Sequence, residues 1–240
     1  MDHPLPDGLM EISIKDTGAF ASASVTLAPG ERFVSESGCF FHSSPNVEID
    51  VTTRRKSGGK GGLLGGIKSM LGGESFFLSN YQATDGQAST VHLAPGLPGD
   101  VRRVDLDGSS RWLCFGGSYL GSAPSLDLDT QGQGFKGLFS GESLFAISVS
   151  GQGPLLVSAY GAIHEAEIDG ELIVDTGHLV AFEDTLDYEI TKAGGSWLRS
   201  MLGGEGLVMR VSGKGRLLVQ SHDAGSLGRR IGRLLPPRQG

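Results

Sequence analysis

The chain of 240 residues carries a net charge of −7 and 39 glycines. That charge excludes a nucleic-acid binder relying on phosphate contacts, and no run reaches the ~18 apolar residues of a membrane-spanning helix. Met1-Asp2-His3-Pro4 lacks the charged and apolar regions of a signal peptide. The expectation is a soluble, cytoplasmic protein with Cys39 and Cys114 as reduced core thiols. In chain order, strand patterns open at Met10–Ile14 and Ala21–Leu27, parted by Asp16-Thr17-Gly18. Ala28-Pro29-Gly30 then reads as a turn, because proline fixes φ and glycine permits φ > 0.

From here a pattern recurs three times. Ten residues after Gly38, Gly117 and Gly177 stand Glu48, Asp127 and Asp187, each inside a short alternating run: Val47–Val51, Leu126–Thr130 and Leu186–Ile190. Each run is followed by a glycine-rich apolar insert, at 57–73, 131–141 and 193–204, which closes on Gly-Glu at Glu74, Glu142 and Glu205. Period-two alternation resumes at Arg111–Phe115, Leu144–Val149 and Leu207–Val211. The second and third units share Ser-Gly-x-Gly-x-Leu-Leu-Val at Ser150–Val157 and Ser212–Val219. Self-similarity at this period fixes the architecture before any site is discussed. The expectation is an all-β body of three fused, similar β-sandwich units in a pseudo-threefold arrangement. It should hold roughly 18–24 short, mostly antiparallel strands and little helix. The units are 1–97, 98–161 and 162–223, followed by a basic tail at 224–240. Glycine at positions 38, 117 and 177 is read as a demand for φ > 0. In the tail, Leu227, Ile231, Leu234 and Leu235 alternate with Arg229, Arg230 and Arg233, a spacing that allows a short basic amphipathic helix ended by Pro236-Pro237, but for a terminus the expectation is a frayed tail.

Several strings carry a resemblance: Leu71–Phe77, Leu93–Asp100, Ser158–Glu165 and Val174–Glu183. Over about Glu11 to Ser221 the sequence resembles the family that includes altered inheritance of mitochondria protein 24, which has bacterial members of unknown function. The resemblance implies a fold like that of the tryptophan-RNA-binding attenuation protein, three such units in one chain, and further oligomerisation. It carries over no catalytic residue. The attenuation protein's tryptophan and RNA sites are not implied, because this acidic chain shows no matching basic rim. Mitochondrial members of the family act in inner-membrane organisation, but no transit peptide is seen here.

The candidate chemistry is sparse. His164-Glu165 lacks the second histidine of a zincin helix. Asp175 stands three residues before His178 and is placed to orient its imidazole, yet no nucleophile elbow accompanies them. Both histidines read as structural, and no catalytic residue, cofactor or metal is expected. A phosphate loop is ruled out at Gly61–Ser69, because Ile67 separates the last glycine from Lys68. Glu74, Glu142 and Glu205 occupy equivalent places, so they read either as acceptors for turn amides or as a carboxylate ring able to hold a cation. Glu48, Asp127 and Asp187 read as the solvated face of a strand.

The inserts carry the functional reading. Leu63, Leu64, Ile67, Phe135, Phe139, Trp197 and Met201 are apolar groups on glycine-flanked tips, which marks them for interaction. The first expectation is a non-catalytic, homo-oligomeric scaffold or partner-binding module, its partners being further copies of itself and an unidentified protein. Two alternatives stand beside it. One is a membrane-surface organiser using the inserts and the arginine tail. The other is a small-molecule binder or enzyme with a pocket near His164 and His178.

Overall fold

Period-two alternation places one face of each segment on a core, and the glycine-rich junctions return the chain alongside itself. The computed structural model describes residues 10–53, 77–129, 146–192 and 207–236. Within them the protein is all-β apart from one short 3-10 turn and one C-terminal helix.

β1 (Glu11–Lys15) pairs outside β2 (Ser22–Leu27), parted from it by the turn that begins at Asp16. From β2 onward one strand plan repeats, with positions that we call a to e. In the first unit a is β2, b is β3 (Arg32–Glu36), c is β4 (Phe40–Ser43) and d is β5 (Val47–Thr53). Position e is split into β6 (Phe77–Ala83) and β7 (Ser89–Leu93). In the second unit the plan is β8 (Val101–Asp107), β9 (Trp112–Phe115), β10 (Tyr119–Ser122), β11 (Leu126–Asp129) and β12 (Ala146–Ser158). In the third, a and b fuse into β13 (Ile163–Asp175), followed by β14 (Leu179–Glu183), β15 (Leu186–Lys192) and β16 (Leu207–Gln220).

Every unit uses one pairing scheme. The first half of e lies between b and d, and its second half lies between a and c, all antiparallel. Even an irregularity repeats. Where c meets e the register slips at one residue, between Phe40 and His42, between Tyr119 and Gly121, and between Leu179 and Ala181. A β-bulge of this kind re-aims the extra side chain, so Phe41, Leu120 and Val180 are equivalent. Sixteen strands are found among the described residues. Among these residues the strands are fewer and longer than expected, because β12, β13 and β16 run for 13, 13 and 14 residues and each serves two positions.

The units are joined by sheet rather than by linkers alone. Strand c of the second unit pairs with b of the first (Gly121↔Ser35, Ser122↔Val34). Strand c of the third pairs with b of the second (Ala181↔Cys114, Phe182↔Leu113, Glu183↔Trp112). The cores follow. One apolar cluster combines Val25, Phe33 and Tyr81 of the first unit with Leu120 and Leu156 of the second. Another joins Val34 and Leu78 to Trp112, Val180 and Leu218, so it draws on all three units. At the second junction Arg216 lies 5.0 Å from the Trp112 ring and binds Glu183 at 2.8 Å, which closes the edge of that core.

The turn glycines differ from expectation at one place. Gly38 and Gly117 do have positive φ, 94° and 76°. Gly177 instead lies in the 3-10 turn Thr176–His178 outside the left-handed region, held by its N–H bond to Asp175 Oδ1 at 2.9 Å. A Cβ there would stand 2.8 Å from Asp223 Oδ1, so the Asp223 carboxylate would have to shift to admit one. The tail is not frayed here, contrary to expectation: it forms helix α1 (Ala224–Gly232), because Asp223 caps it by accepting from the Gly225 and Ser226 amides. The glycine-rich inserts lie outside the described residues.

Candidate functional site

The repeat makes a site search a comparison of equivalents. At the bulge of strand c, Leu120 and Val180 are both fully buried, whereas Phe41 is 51% exposed. The b strands show the same break. Phe33 and Trp112 are buried, but Leu172 at the matching place in β13 is 37% exposed. Val34 is 6% exposed, while its counterpart Ile173 is 60% exposed. The cause lies in the pairing. β10 and β14 each have a b strand alongside, and β3 and β9 each have a c strand. Among the described residues β4 pairs with β7 alone, and β13 pairs with β16 alone. Among the c and b strands of the described residues, two are therefore left without that neighbour, one at each end of the series, and each carries apolar side chains whose counterparts are buried.

The β4 edge carries a second feature. His42 and His92, cross-strand partners in register, stack at 3.8 Å between ring centroids, with the Phe41 ring 4.8 Å from His42. Partial burial, with His42 and Lys15 close by, lowers the pKa of His92. The neutral form of His92 is thus favoured.

The histidines singled out from sequence flank β16 from opposite sides, His164 on β13 and His178 in the turn just before β14. His164 pairs with Val219 on the β13 side and is exposed. His178 is half-buried beside β14, its Nδ1 2.7 Å from the Gln220 carbonyl, which orients the ring. Asp175 does not orient it, because its carboxylate accepts the Gly177 amide. A cavity of about 530 Å³ opens near this turn, lined by Glu36, Leu97, Phe115, Tyr160, Leu179 and Asp223 among others. Neither histidine lines it. Burial pushes the Glu36 carboxyl up to about 7, and burial together with Glu36 pushes the Cys39 thiol up to about 12. Burial also raises Cys114 to about 12. Both thiols are free, buried and protonated, so neither has the thiolate character of a reactive cysteine.

Leu63, Leu64, Ile67, Phe135, Phe139, Trp197 and Met201 lie outside the described residues, as do Glu74, Glu142 and Glu205. Glu48, Asp127 and Asp187 are exposed on d strands, as a solvated face requires. Among the described residues no group of three or more acidic, histidine or cysteine side chains could hold a metal ion, and no helix is long and apolar enough to cross a membrane.

The family model described as mitochondrial biogenesis AIM24 matches residues 12–222. The chain belongs to the AIM24 family. Another protein similar to this AIM24-family chain is an uncharacterised protein of Streptococcus pyogenes serotype M6. It is 29% identical over 239 residues, covering 98% of this chain and 95% of that one. The crystal structure of a second S. pyogenes protein superposes with a TM-score of 0.76 at 27% identity, over 94% of this chain and all of that chain. Neither relative's description gives an activity, so function in this AIM24-family chain is argued from its own surfaces.

The sequence reading missed Phe41, Leu172, Ile173, Glu36 and the His42–His92 pair. The bulge position was within reach, since Phe41, Leu120 and Val180 each stand three residues after Gly38, Gly117 and Gly177. Which of the three lacks a neighbour is decided by pairing between units, and that leaves no local signal.

Proposed function

We propose that the chain is a non-catalytic, homo-oligomeric scaffold or partner-binding module. One observation carries the reading: exposed apolar side chains gather on the open edges at β4 and β13, where equivalent positions elsewhere in the chain are buried. An open edge offers unpaired N–H and C=O groups together with apolar surface, so it is a template for another strand. A catalytic site needs convergent titratable groups in a concave setting. His164 and His178 do not converge here, and the cavity, whose lining includes Glu36, Asp223, Tyr160, Thr176 and Gln220, takes in neither histidine. Sedimentation of the purified full chain from about 1 to 100 µM should give a multiple of the single-chain mass. A single-chain mass throughout that range would sink the reading.

A second reading, contact with a membrane surface, is supported by α1. Ile231 of α1 and, just past its end, Leu234 and Leu235 are exposed beside Arg230 and Arg233, a mixture of apolar and basic groups that suits an anionic interface. Co-sedimentation with vesicles of phosphatidylglycerol and phosphatidylcholine should carry the chain down, and deleting residues 224–240 should release it. Equal pelleting of full-length and truncated chains would remove α1 from consideration.

A further inference from the structure

The two open edges are not merely similar in being unpaired; each is the partner that the other lacks. Inside the chain the junction between successive units is always strand c of the later unit against strand b of the earlier one, and it occurs twice. The strand left open in the first unit is a c strand, β4, and the strand left open in the third is the b half of β13. We infer that β4 of one copy pairs antiparallel with the Glu171–Asp175 half of β13 in a second copy. The contact is head-to-tail and repeats between chains the junction already built within each. This inference rests on the self-association proposed above and specifies its surface.

The repeat also fixes the register. Gly121↔Ser35 and Ala181↔Cys114 occupy one equivalent position, and carried to the ends they place His42 opposite Val174 of the second copy. Ser122↔Val34 and Phe182↔Leu113 likewise place Ser43 opposite Ile173. In that register the bulged Phe41 stands where Leu120 and Val180 stand at the internal junctions, both at 0% exposure. Leu172 and Ile173 stand where Phe33 and Val34 are buried. The side chains at the open ends therefore match in position those already packed twice in the same chain. Other occupants explain less. An unrelated strand would satisfy the backbone edge of β4 or of β13, but it would not account for both ends having complementary positions in one repeat.

A head-to-tail contact differs from a twofold one because its two surfaces are distinct, so it continues from copy to copy until a ring closes or a filament grows. It also allows a decisive mixing experiment. Phe41→Glu disables the β4 edge, and Ile173→Glu disables the β13 edge. Both side chains are mostly exposed within one chain, so circular dichroism and thermal melting should match the parent. Each variant alone should sediment as a single chain of 25.1 kDa. Mixed one to one, they should form a dimer and nothing larger, because only one live edge of each kind remains.

As an independent check, Ser43→Cys and Ile173→Cys chains should form a disulfide-linked dimer on mild oxidation when mixed, and neither should do so alone. If both glutamate variants keep the parent's oligomeric mass, self-association uses another surface; the inference falls and the scaffold reading stands. If each is a single chain and the mixture forms no dimer, the head-to-tail assignment is overturned. Covalent dimers from either cysteine variant alone would also overturn it, by showing a twofold contact. A parent chain that is itself monomeric would remove both readings together.

Discussion

Gly99 sits where the connection between the first two units crosses the connection between the last two, and its replacement by alanine tests that crossing. A Cβ on Gly99 would stand 1.8 Å from the Ala159 carbonyl oxygen and 2.7 Å from the Gly161 nitrogen. Both are backbone atoms, so no side-chain rotation relieves the overlap. The two connections must separate by about 1.5 Å to reach ordinary contact near 3.3 Å. Four hydrogen bonds hold this region: Asp100 N–H to Gly161 O at 2.8 Å, Gly161 N–H to Pro98 O at 3.1 Å, Ala159 N–H to Asp100 O at 3.0 Å, and Ala21 N–H to Gly99 O at 2.9 Å. A shift of that size breaks two of them at about 1 kcal/mol each. Overpacking adds about 1–3 kcal/mol, so Gly99→Ala is expected to cost about 3–5 kcal/mol. In a chain of this length that lowers Tm by roughly 6–20 °C. The control lies three residues earlier: a Cβ on Gly96 meets nothing within 4 Å, and Gly96→Ala should change stability by less than about 0.5 kcal/mol. Urea unfolding followed by circular dichroism measures both. A Gly99→Ala chain within 0.5 kcal/mol of the parent would mean that the two connections are not in contact.

Three more outcomes are expected. Glu36 is raised from 4.5 to about 7 by burial, so the fold favours its neutral form; the stability this confers is full below pH 4.5 and is lost as pH rises through 7. Discounted for solvent screening of a group that is only partly buried, the shift is worth on the order of 2 kcal/mol. Glu36→Gln should therefore flatten that fall in a pH series of urea midpoints, and an unchanged slope would contradict it. Trp112→Ala should cost about 3–5 kcal/mol through its cavity, and with Arg216→Ala it should give a non-additive cycle because the guanidinium rests on that ring; full additivity would deny the contact. His178→Ala should cost about 1–3 kcal/mol through the lost bond to Gln220, whereas exposed His164→Ala should cost less than about 0.5 kcal/mol; equal losses in thermal melts would reverse their assignment.

Much of the fold could be read from residues because the repeat supplied its own alignment. The offset of ten residues from Gly38, Gly117 and Gly177 to the d-strand acids located equivalent strands correctly. The helix at Ala224–Gly232 was allowed by leucine and arginine spacing, but a frayed tail was expected because the Asp223 cap that starts it was not recognised. Three things were not readable. Strands β12, β13 and β16 continue where separate short strands were expected, since a glycine such as Gly151 or Gly170 bends a ladder without ending it. The crowding at Gly177 comes from Asp223, 46 residues away in sequence, which no turn propensity records. Exposure of Phe41 depends on a strand missing from its side, and its own neighbours in sequence resemble those of buried Leu120.

The sheet junctions also separate the repeat that is encoded from the repeat that is packed. Strand c is contiguous in sequence with the a, b, d and e of its own unit, yet half of its hydrogen bonding goes to strand b of the unit before it. The two periodicities are out of phase by one strand. A cut at 97/98 or 161/162, though it respects the sequence repeat, divides a sheet and leaves β10 or β14 without its neighbour. A single unit made as a separate polypeptide would carry both raw edges at once and could cover them only by joining other copies. A chain of three is then a fixed length of such a series, with two of its joints made permanent by the peptide backbone.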